Sequence, residues 1–87
     1  MPRIVKDVTI KSPQGLHARP AAMFVQIASK YNSNVTIEKD GEKVNGKSIM
    51  GILTLGAQAG SKLTLDIDGE DAEIVIKDLE ALLSSET

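Results

Sequence analysis

The sequence predicts an α+β fold, an open-faced sandwich in which a four-stranded antiparallel sheet is covered on one face by three helices. Residues 62–68 (KLTLDID) alternate between apolar and polar side chains, as a strand with one buried and one wet face does. Asp40-Gly41 separates two strand-like segments and is a strong hairpin signal. With helical signals in three other segments, the predicted order is strand, helix, strand, strand, helix, strand, helix. Helices on a single face of one sheet are the natural packing for this order.

The first half of the chain contains three predicted strands and one helix. We predict a strand over 3–10, a helix over 18–31, a strand over 34–39 and a return strand around Val44. The helix is predicted because apolar residues recur on one side at 100° per residue: Ala21, Phe24, Val25, Ile27, Ala28 and Tyr31. A turn cluster, Ser12-Pro13-Gln14-Gly15, ends the first strand.

The second half contains a short helix, a strand and a final helix. The short helix is predicted from Ser48 at its N-cap to Gly56 just past its end. In the strand over 62–68 the three apolar residues face the core: Leu63, Leu65 and Ile67. Residues 72–83 predict the last helix, because the spacing of the polar residues Glu73, Lys77 and Glu80 fits a helical period better than a strand.

The composition excludes several classes of function. The chain has 87 residues, which we interpret as one domain over 1–87. It has no cysteine and one histidine, so a disulfide framework and a cysteine- or histidine-built metal site are excluded. Ten basic and twelve acidic residues, with 2% aromatic residues, argue against a nucleic-acid binder. No apolar run approaches a membrane span and the polar start is no signal peptide, so we expect a cytoplasmic protein without membrane insertion.

The only histidine, His17, lies where a turn joins the first helix. Histidine is a poor N-cap, so we expect the N–H groups of the first turn, at Ala18 and Arg19, to lack an intramolecular acceptor. These donors, the positive end of the helix dipole and the Arg19 guanidinium together predict a phosphate site. The alternative is an ordinary surface or partly buried imidazole.

The chemistry that fits this arrangement is nucleophilic attack by a neutral imidazole on a phosphoryl donor. No carboxylate pair, serine–histidine couple or metal cluster accompanies His17 in the sequence. The sequence therefore lacks the catalytic groups that a self-contained hydrolase or isomerase needs.

A second signal lies on the short helix. Ile52 and Leu55 fall on one side and are predicted to be core, whereas Ile49, Met50 and Leu53 fall on another side. An exposed apolar patch that contains a methionine suits docking to several partners. The alternative is that all five side chains are buried.

Ser48 also has two compatible interpretations. As an N-cap it stabilises the short helix by ~1 kcal/mol. As a phosphoserine it would place about two negative charges at a helix N-terminus, next to the predicted apolar patch.

The whole chain resembles the HPr family, the small histidine phosphocarriers of the bacterial phosphoenolpyruvate-dependent sugar phosphotransferase system. The most specific segments are Gly15-Leu16-His17-Ala18-Arg19-Pro20-Ala21-Ala22 and Lys47-Ser48-Ile49-Met50-Gly51. The departures from the family pattern are a slightly longer N-terminus and Ser12-Pro13-Gln14 ahead of the glycine.

The resemblance implies that His17 accepts a phosphoryl group at Nδ1 from enzyme I and passes it to the IIA domains of sugar permeases, while Arg19 holds the phosphate. It also implies that an HPr kinase/phosphorylase modifies Ser48 and that the product acts as co-repressor with a catabolite control protein. The docking residues that it implies are Ile49, Met50, Leu53, Ala22 and Gln26. We therefore expect a monomeric carrier, not an enzyme, without cofactor or metal.

The alternative function is a regulatory adaptor that acts only through phosphorylation of Ser48. The presence of His17 argues against it, because an adaptor needs no histidine there. A small nucleic-acid-binding module is a third possibility, which charge and aromatic content disfavour.

Overall fold

The computed structural model describes residues 2–85. Its elements, in chain order, are β1 (Arg3–Thr9), α1 (Ala18–Ser29), β2 (Asn34–Lys39), β3 (Glu42–Asn45), α2 (Ile49–Thr54), β4 (Lys62–Asp68) and α3 (Ala72–Leu83). The strands form one sheet in the order β1-β4-β2-β3, with every neighbouring pair antiparallel. The predicted fold class, element order and open-faced sandwich are confirmed.

The core lies between the helices and one face of the sheet. β4 is central, and its three apolar side chains Leu63, Leu65 and Ile67 are fully buried. Phe24 of α1 and Leu79 of α3 are fully buried as well. The opposite sheet face is polar, as the alternation in β4 predicts, apart from the exposed Val5 opposite Asp66. The helices α1 and α2 contact each other, and α1 also contacts α3.

The β2–β3 hairpin has the predicted turn. Asp40 and Gly41 both have positive φ, 52° and 85°, which is the geometry of a type I′ turn. Lys39 pairs with Glu42 across it. Asp and Gly tolerate positive φ better than most other residues, which explains why this pair lies between β2 and β3.

Two predicted boundaries are wrong by one or two residues. β1 ends at Thr9, although the N–H of Ile10 still donates to the carbonyl of Ser61 (2.9 Å), just before β4 begins at Lys62. α1 ends at Ser29. The N–H of Tyr31 donates to the carbonyl of Ala28 at 3.3 Å, three residues earlier rather than the four of an α-helix. Tightening of the last turn by such bonds is common at helix ends.

The segment after α1 is fastened to α3 by two carboxylates. Asp71 accepts from the hydroxyl of Ser33 and from the backbone N–H groups of Asn32 (3.1 Å) and Ser33 (3.2 Å). The Ser33 hydroxyl bond is the main cause that lowers the pKa of Asp71. The Tyr31 hydroxyl donates to Asp78 at 2.6 Å, and this bond raises the pKa of Tyr31. These contacts hold the C-terminal end of α1 in place.

Candidate functional site

His17 is the N-cap residue of α1. Its backbone is extended (φ −90°, ψ −167°), and its side chain is exposed and makes no capping hydrogen bond. Its carbonyl accepts from the N–H of Ala21 at 2.9 Å, which starts the helix. The backbone of His17 thus begins the helix while the imidazole stays available to solvent, and the predicted position at a turn–helix junction is confirmed.

The first two N–H groups of α1 have no hydrogen-bond acceptor within residues 2–85. Ala18 and Arg19 are the first helical residues, and no described residue accepts from their N–H groups. Pro20, the third helical residue, has no N–H. Unpaired donors at a helix N-terminus attract anions. The structure therefore agrees with the predicted absence of an internal acceptor.

Arg19 is exposed and borders the same cavity as His17, which has a volume of about 610 Å³. Pro20 and Met23 of α1 and Leu82 of α3 also line this cavity. Within residues 2–85 the Arg19 guanidinium has no hydrogen-bond or ion-pair partner. An unpaired guanidinium keeps both donor edges available for phosphate oxygens.

The carboxylates are distributed unevenly, a feature that the net charge of −2 conceals. The sequence has no Asp or Glu in residues 8–37 or 43–65, the segments that carry α1 and α2. α3, by contrast, carries Glu73, Asp78 and Glu80. Neither α1 nor α2 therefore contributes an acidic side chain to the helical face. Sequence analysis missed this, although the positions of the acidic residues could have revealed it.

Ser48 is the N-cap of α2, as predicted. Its backbone is extended (φ −120°, ψ 114°), and its Oγ accepts from the N–H of Gly51 at 3.1 Å. The side chain is half-buried. Next to it, the Lys47 ammonium donates to the carbonyl of Tyr31 at 2.9 Å, which links the start of α2 to the end of α1. The cap prediction is confirmed, and the regulatory role of Ser48 stays a prediction.

The two sides of α2 differ in burial as predicted. Ile52 is fully buried and Leu55 is buried. We define the α2 patch as Ile49, Met50 and Leu53; Met50 is 70% exposed, Ile49 is exposed, and Leu53 is half-buried. The alternative in which all five side chains are core is wrong.

The docking residues expected on α1 are partly accessible: Gln26 is exposed and Ala22 half-buried. The structure adds Met23, which is also exposed and which sequence analysis did not single out. At 100° per residue Met23 falls outside the apolar side of the predicted helix, and this position could have indicated that the side chain is exposed. Their roles in docking stay predictions.

Residues 2–85 hold no group of three or more His, Asp or Glu side chains placed to bind a metal ion. None of the three helices has the length and apolar character needed to cross a membrane.

Comparison with known proteins decides the family. The family profile described as "PTS HPr component phosphorylation site" matches residues 4–85. The chain belongs to the PTS-HPr family. This is the HPr phosphocarrier family of the phosphotransferase system.

Relatives in the HPr family include both carriers and HPr-like regulators. The chain is 46% identical over 83 residues to the HPr-like protein Crh of Halalkalibacterium halodurans, covering 95% of this chain and 99% of that protein. The crystal structure of phosphocarrier protein HPr from Bacillus anthracis superposes with a TM-score of 0.89 at 44% identity, covering 93% of this chain and 96% of that one. The crystal structure of Bacillus subtilis Crh, described as a dimer with a swapping domain, has a TM-score of 0.77 at 45% identity, with 92% of each chain covered.

Proposed function

We propose that this HPr-family protein relays phosphoryl groups: His17 accepts one from phosphorylated enzyme I and passes it to the IIA domains of sugar permeases. The observation that carries the proposal is the exposed imidazole at the start of α1, next to two N–H groups that no residue within 2–85 uses. In this proposal residues 1–87 act as one phosphocarrier domain, and the protein carries the group without turning over a substrate of its own.

The proposed chemistry needs only groups that the chain supplies. A lone pair of the neutral His17 ring, proposed at Nδ1, forms the N–P bond while the bond from phosphorus to the donor breaks and its electron pair leaves with the donor. The N–H groups of Ala18 and Arg19 then donate to the phosphoryl oxygens, and the Arg19 guanidinium adds charge-assisted bonds. Transfer to the next acceptor reverses these steps.

The charge distribution supports the same proposal. A phosphoryl group brings up to two negative charges, and each carboxylate within roughly a Debye length, about 8–10 Å, would oppose its arrival. The segments that carry α1 and α2 have no acidic residue and include Lys11, Arg19, Lys30 and Lys47. A local excess of positive charge also favours approach of acidic partner surfaces.

The test is incubation with phosphoenolpyruvate, labelled in its phosphate, and catalytic enzyme I. We expect one acid-labile label per molecule on wild type and none on His17→Ala, because the chain has one histidine. Ser29→Ala is a control with an exposed side chain on the same helix and should still be labelled. Equal labelling of His17→Ala would contradict the proposal.

A second role, regulation through Ser48, is favoured by the identity to HPr-like protein Crh and by the position of Ser48 next to the α2 patch. We propose that an HPr kinase/phosphorylase phosphorylates Ser48 and that the product binds a catabolite control protein. ATP-dependent labelling that is absent in Ser48→Ala would support this role. A wild type that accepts ATP-derived label but none from enzyme I would make the adaptor its sole function.

The two roles should interfere with each other. A negative charge at position 48 adds repulsion and desolvation cost next to Met50. We therefore expect Ser48→Asp to raise the KM of enzyme I for this protein, and transfer kinetics equal to wild type would contradict this expectation.

We propose a cytoplasmic monomer. β1 pairs with β4 of the same chain along seven residue pairs, so the sheet is complete without a second copy. Because the Bacillus subtilis Crh structure is described as a swapped dimer, the mass in solution should be measured by light scattering across a concentration series. A dimer at micromolar concentration would contradict this part of the proposal.

A further inference from the structure

The loop between α2 and β4 lies directly against the turn that precedes His17. Gly15 has φ +73°, and a Cβ added there would stand 2.7 Å from the carbonyl oxygen of Ala57 and 2.8 Å from Cα of Gln58. The N–H of Leu16 donates to the Ala57 carbonyl at 2.9 Å. Two stretches of backbone are therefore in direct contact within two residues of His17, and any side chain at position 15 would push them apart.

This loop is itself held by hydrogen bonds. The hydroxyl of Ser61 accepts from the N–H of Gln58 at 3.0 Å, and the N–H of Ser61 donates to the carbonyl of Gln58, also at 3.0 Å. Ile10, just after β1, accepts from Gly60 and donates to Ser61, each at 2.9 Å. The segment Ala57–Ser61 is thus a small closed loop anchored to the sheet.

The turn before His17 makes few other hydrogen bonds, although the side chain of Leu16 is buried in the core. Gly15 donates to the carbonyl of Ser12, three residues back, at 3.0 Å. Among residues 2–85, the backbone bond from Leu16 to Ala57 is the one hydrogen bond that ties residues 15–17 to a distant part of the chain. Because the His17 side chain makes no capping bond, its position follows from the backbone on either side.

We propose that Ala57–Ser61 is a positioning segment for His17: its contact with Gly15 and Leu16 sets where the imidazole and the N–H groups of Ala18 and Arg19 stand. This inference rests on the proposed phosphoryl transfer. A nucleophile and its oxyanion donors must align with the incoming phosphorus, and a displacement of about 1 Å can slow such a step about 100-fold. Because the loop contributes no residue to the α2 patch, we expect substitutions in it to change kcat more than KM.

The first test compares two glycines with positive φ. Gly15→Ala adds strain and a backbone clash, whereas Gly41→Ala adds strain alone, since its φ is +85° and nothing lies within 4 Å of the added Cβ. With this protein as the substrate of enzyme I, we expect Gly15→Ala to lower kcat about tenfold or more while KM changes less than about twofold. Gly41→Ala should keep both constants.

The second test weakens the loop without touching the turn. Ser61→Ala removes the acceptor for the Gln58 N–H, and Ser61→Thr keeps a hydroxyl at the same place. We expect kcat to fall several-fold in the first variant and to recover in the second, with KM unchanged in both. Thr54→Ala, which removes the bond from its hydroxyl to the Gly51 carbonyl (2.6 Å) within α2, is the control.

NMR keeps this inference separate from the proposed function. In Gly15→Ala and Ser61→Ala the amide signals of Ala18 and Arg19 and the ring signals of His17 should shift, and in Gly41→Ala they should stay at their wild-type values. If wild type accepted no phosphoryl group, the proposed function would fail while these shifts still tested the positioning. Unshifted signals and an unchanged kcat in Ser61→Ala would overturn the positioning role, even if Gly15→Ala did not fold.

Discussion

Met50 offers a direct test of the α2 patch, because it separates docking from stability. Its side chain is 70% exposed although it lies two residues from Ile52, which is fully buried. Shortening Met50 should therefore leave the core intact and remove surface that a partner would cover. We consider Met50→Ala and the more severe Met50→Glu.

The expected magnitude follows from the exposed fraction. Complete burial of a methionine side chain contributes about 1.5–3 kcal/mol, and the 70% that is still exposed leaves about 1–2 kcal/mol to be gained on docking. Since 1.4 kcal/mol corresponds to tenfold in affinity, Met50→Ala should weaken binding about 5- to 30-fold. Met50→Glu should weaken it further, because the interface would then bury an unpaired charge.

The assay is a calorimetric titration with enzyme I, accompanied by thermal unfolding of each variant. Because surface substitutions usually change stability by less than about 0.5 kcal/mol, the thermal midpoint of Met50→Ala should stay within about 4 °C of wild type. Ile74→Ala is the matched control, since Ile74 is also exposed (51%) but lies on α3; its affinity should not change. Ile52→Ala should behave in the opposite way, losing about 2–5 kcal/mol of stability.

Two outcomes would refute this account of the patch. A large fall in the thermal midpoint of Met50→Ala would show that the side chain is part of the core. An unchanged affinity together with an unchanged midpoint would show that Met50 is exposed but takes no part in docking.

Three further predictions concern hydrogen bonds near the helix ends. Ser48→Ala removes the cap of α2 and should lower stability by about 1 kcal/mol, measured by urea unfolding, whereas Ser48→Asp, which keeps an acceptor, should lose less. Because the pKa of Asp71 is lowered, its stabilisation is present above the unfolded pKa and is lost as pH falls through the folded one. Ser33→Ala should therefore lower the thermal midpoint more near neutral pH than in acid. An equal decrease at the two pH values would contradict this prediction. Absorbance titration should place the pKa of Tyr31 above its ordinary value, and Asp78→Asn should lower it.

Much of the fold was predictable because several elements have unambiguous local signals. β4 has strict alternation, and its predicted bounds 62–68 agree with the structure. The predicted helix over 72–83 is likewise confirmed, since the polar residues rather than the run Ile74-Val75-Ile76 reveal its period. The end of α1 was not predictable in the same way. Tyr31 continues the apolar side of the helix, but its hydroxyl is fixed by Asp78, a contact between residues 47 positions apart.

The candidate site was predictable where it depends on neighbouring residues and not where it depends on tertiary contacts. A poor N-cap followed by helical residues indicates N–H groups without an acceptor at Ala18 and Arg19, and the structure of residues 2–85 agrees. The contact of Gly15 with Ala57 joins segments 42 positions apart, so no local pattern reveals it. From the sequence alone, Gly15 only permits a tight backbone approach; what approaches it requires the fold.

The starts of α1 and α2 differ in a way that bears on the two proposed modifications. At α1 the His17 side chain caps nothing, so a phosphoryl group on the ring would bring acceptors to N–H groups that lack them within residues 2–85. At α2 the Ser48 hydroxyl already accepts from Gly51, so a phosphoryl group there would exchange one oxygen acceptor for others at the same helix terminus. Its effect should then fall on the exposed neighbour Met50 rather than on the helix. In these proposals the same chemical group would complete a binding site at one helix and alter a docking surface at the other.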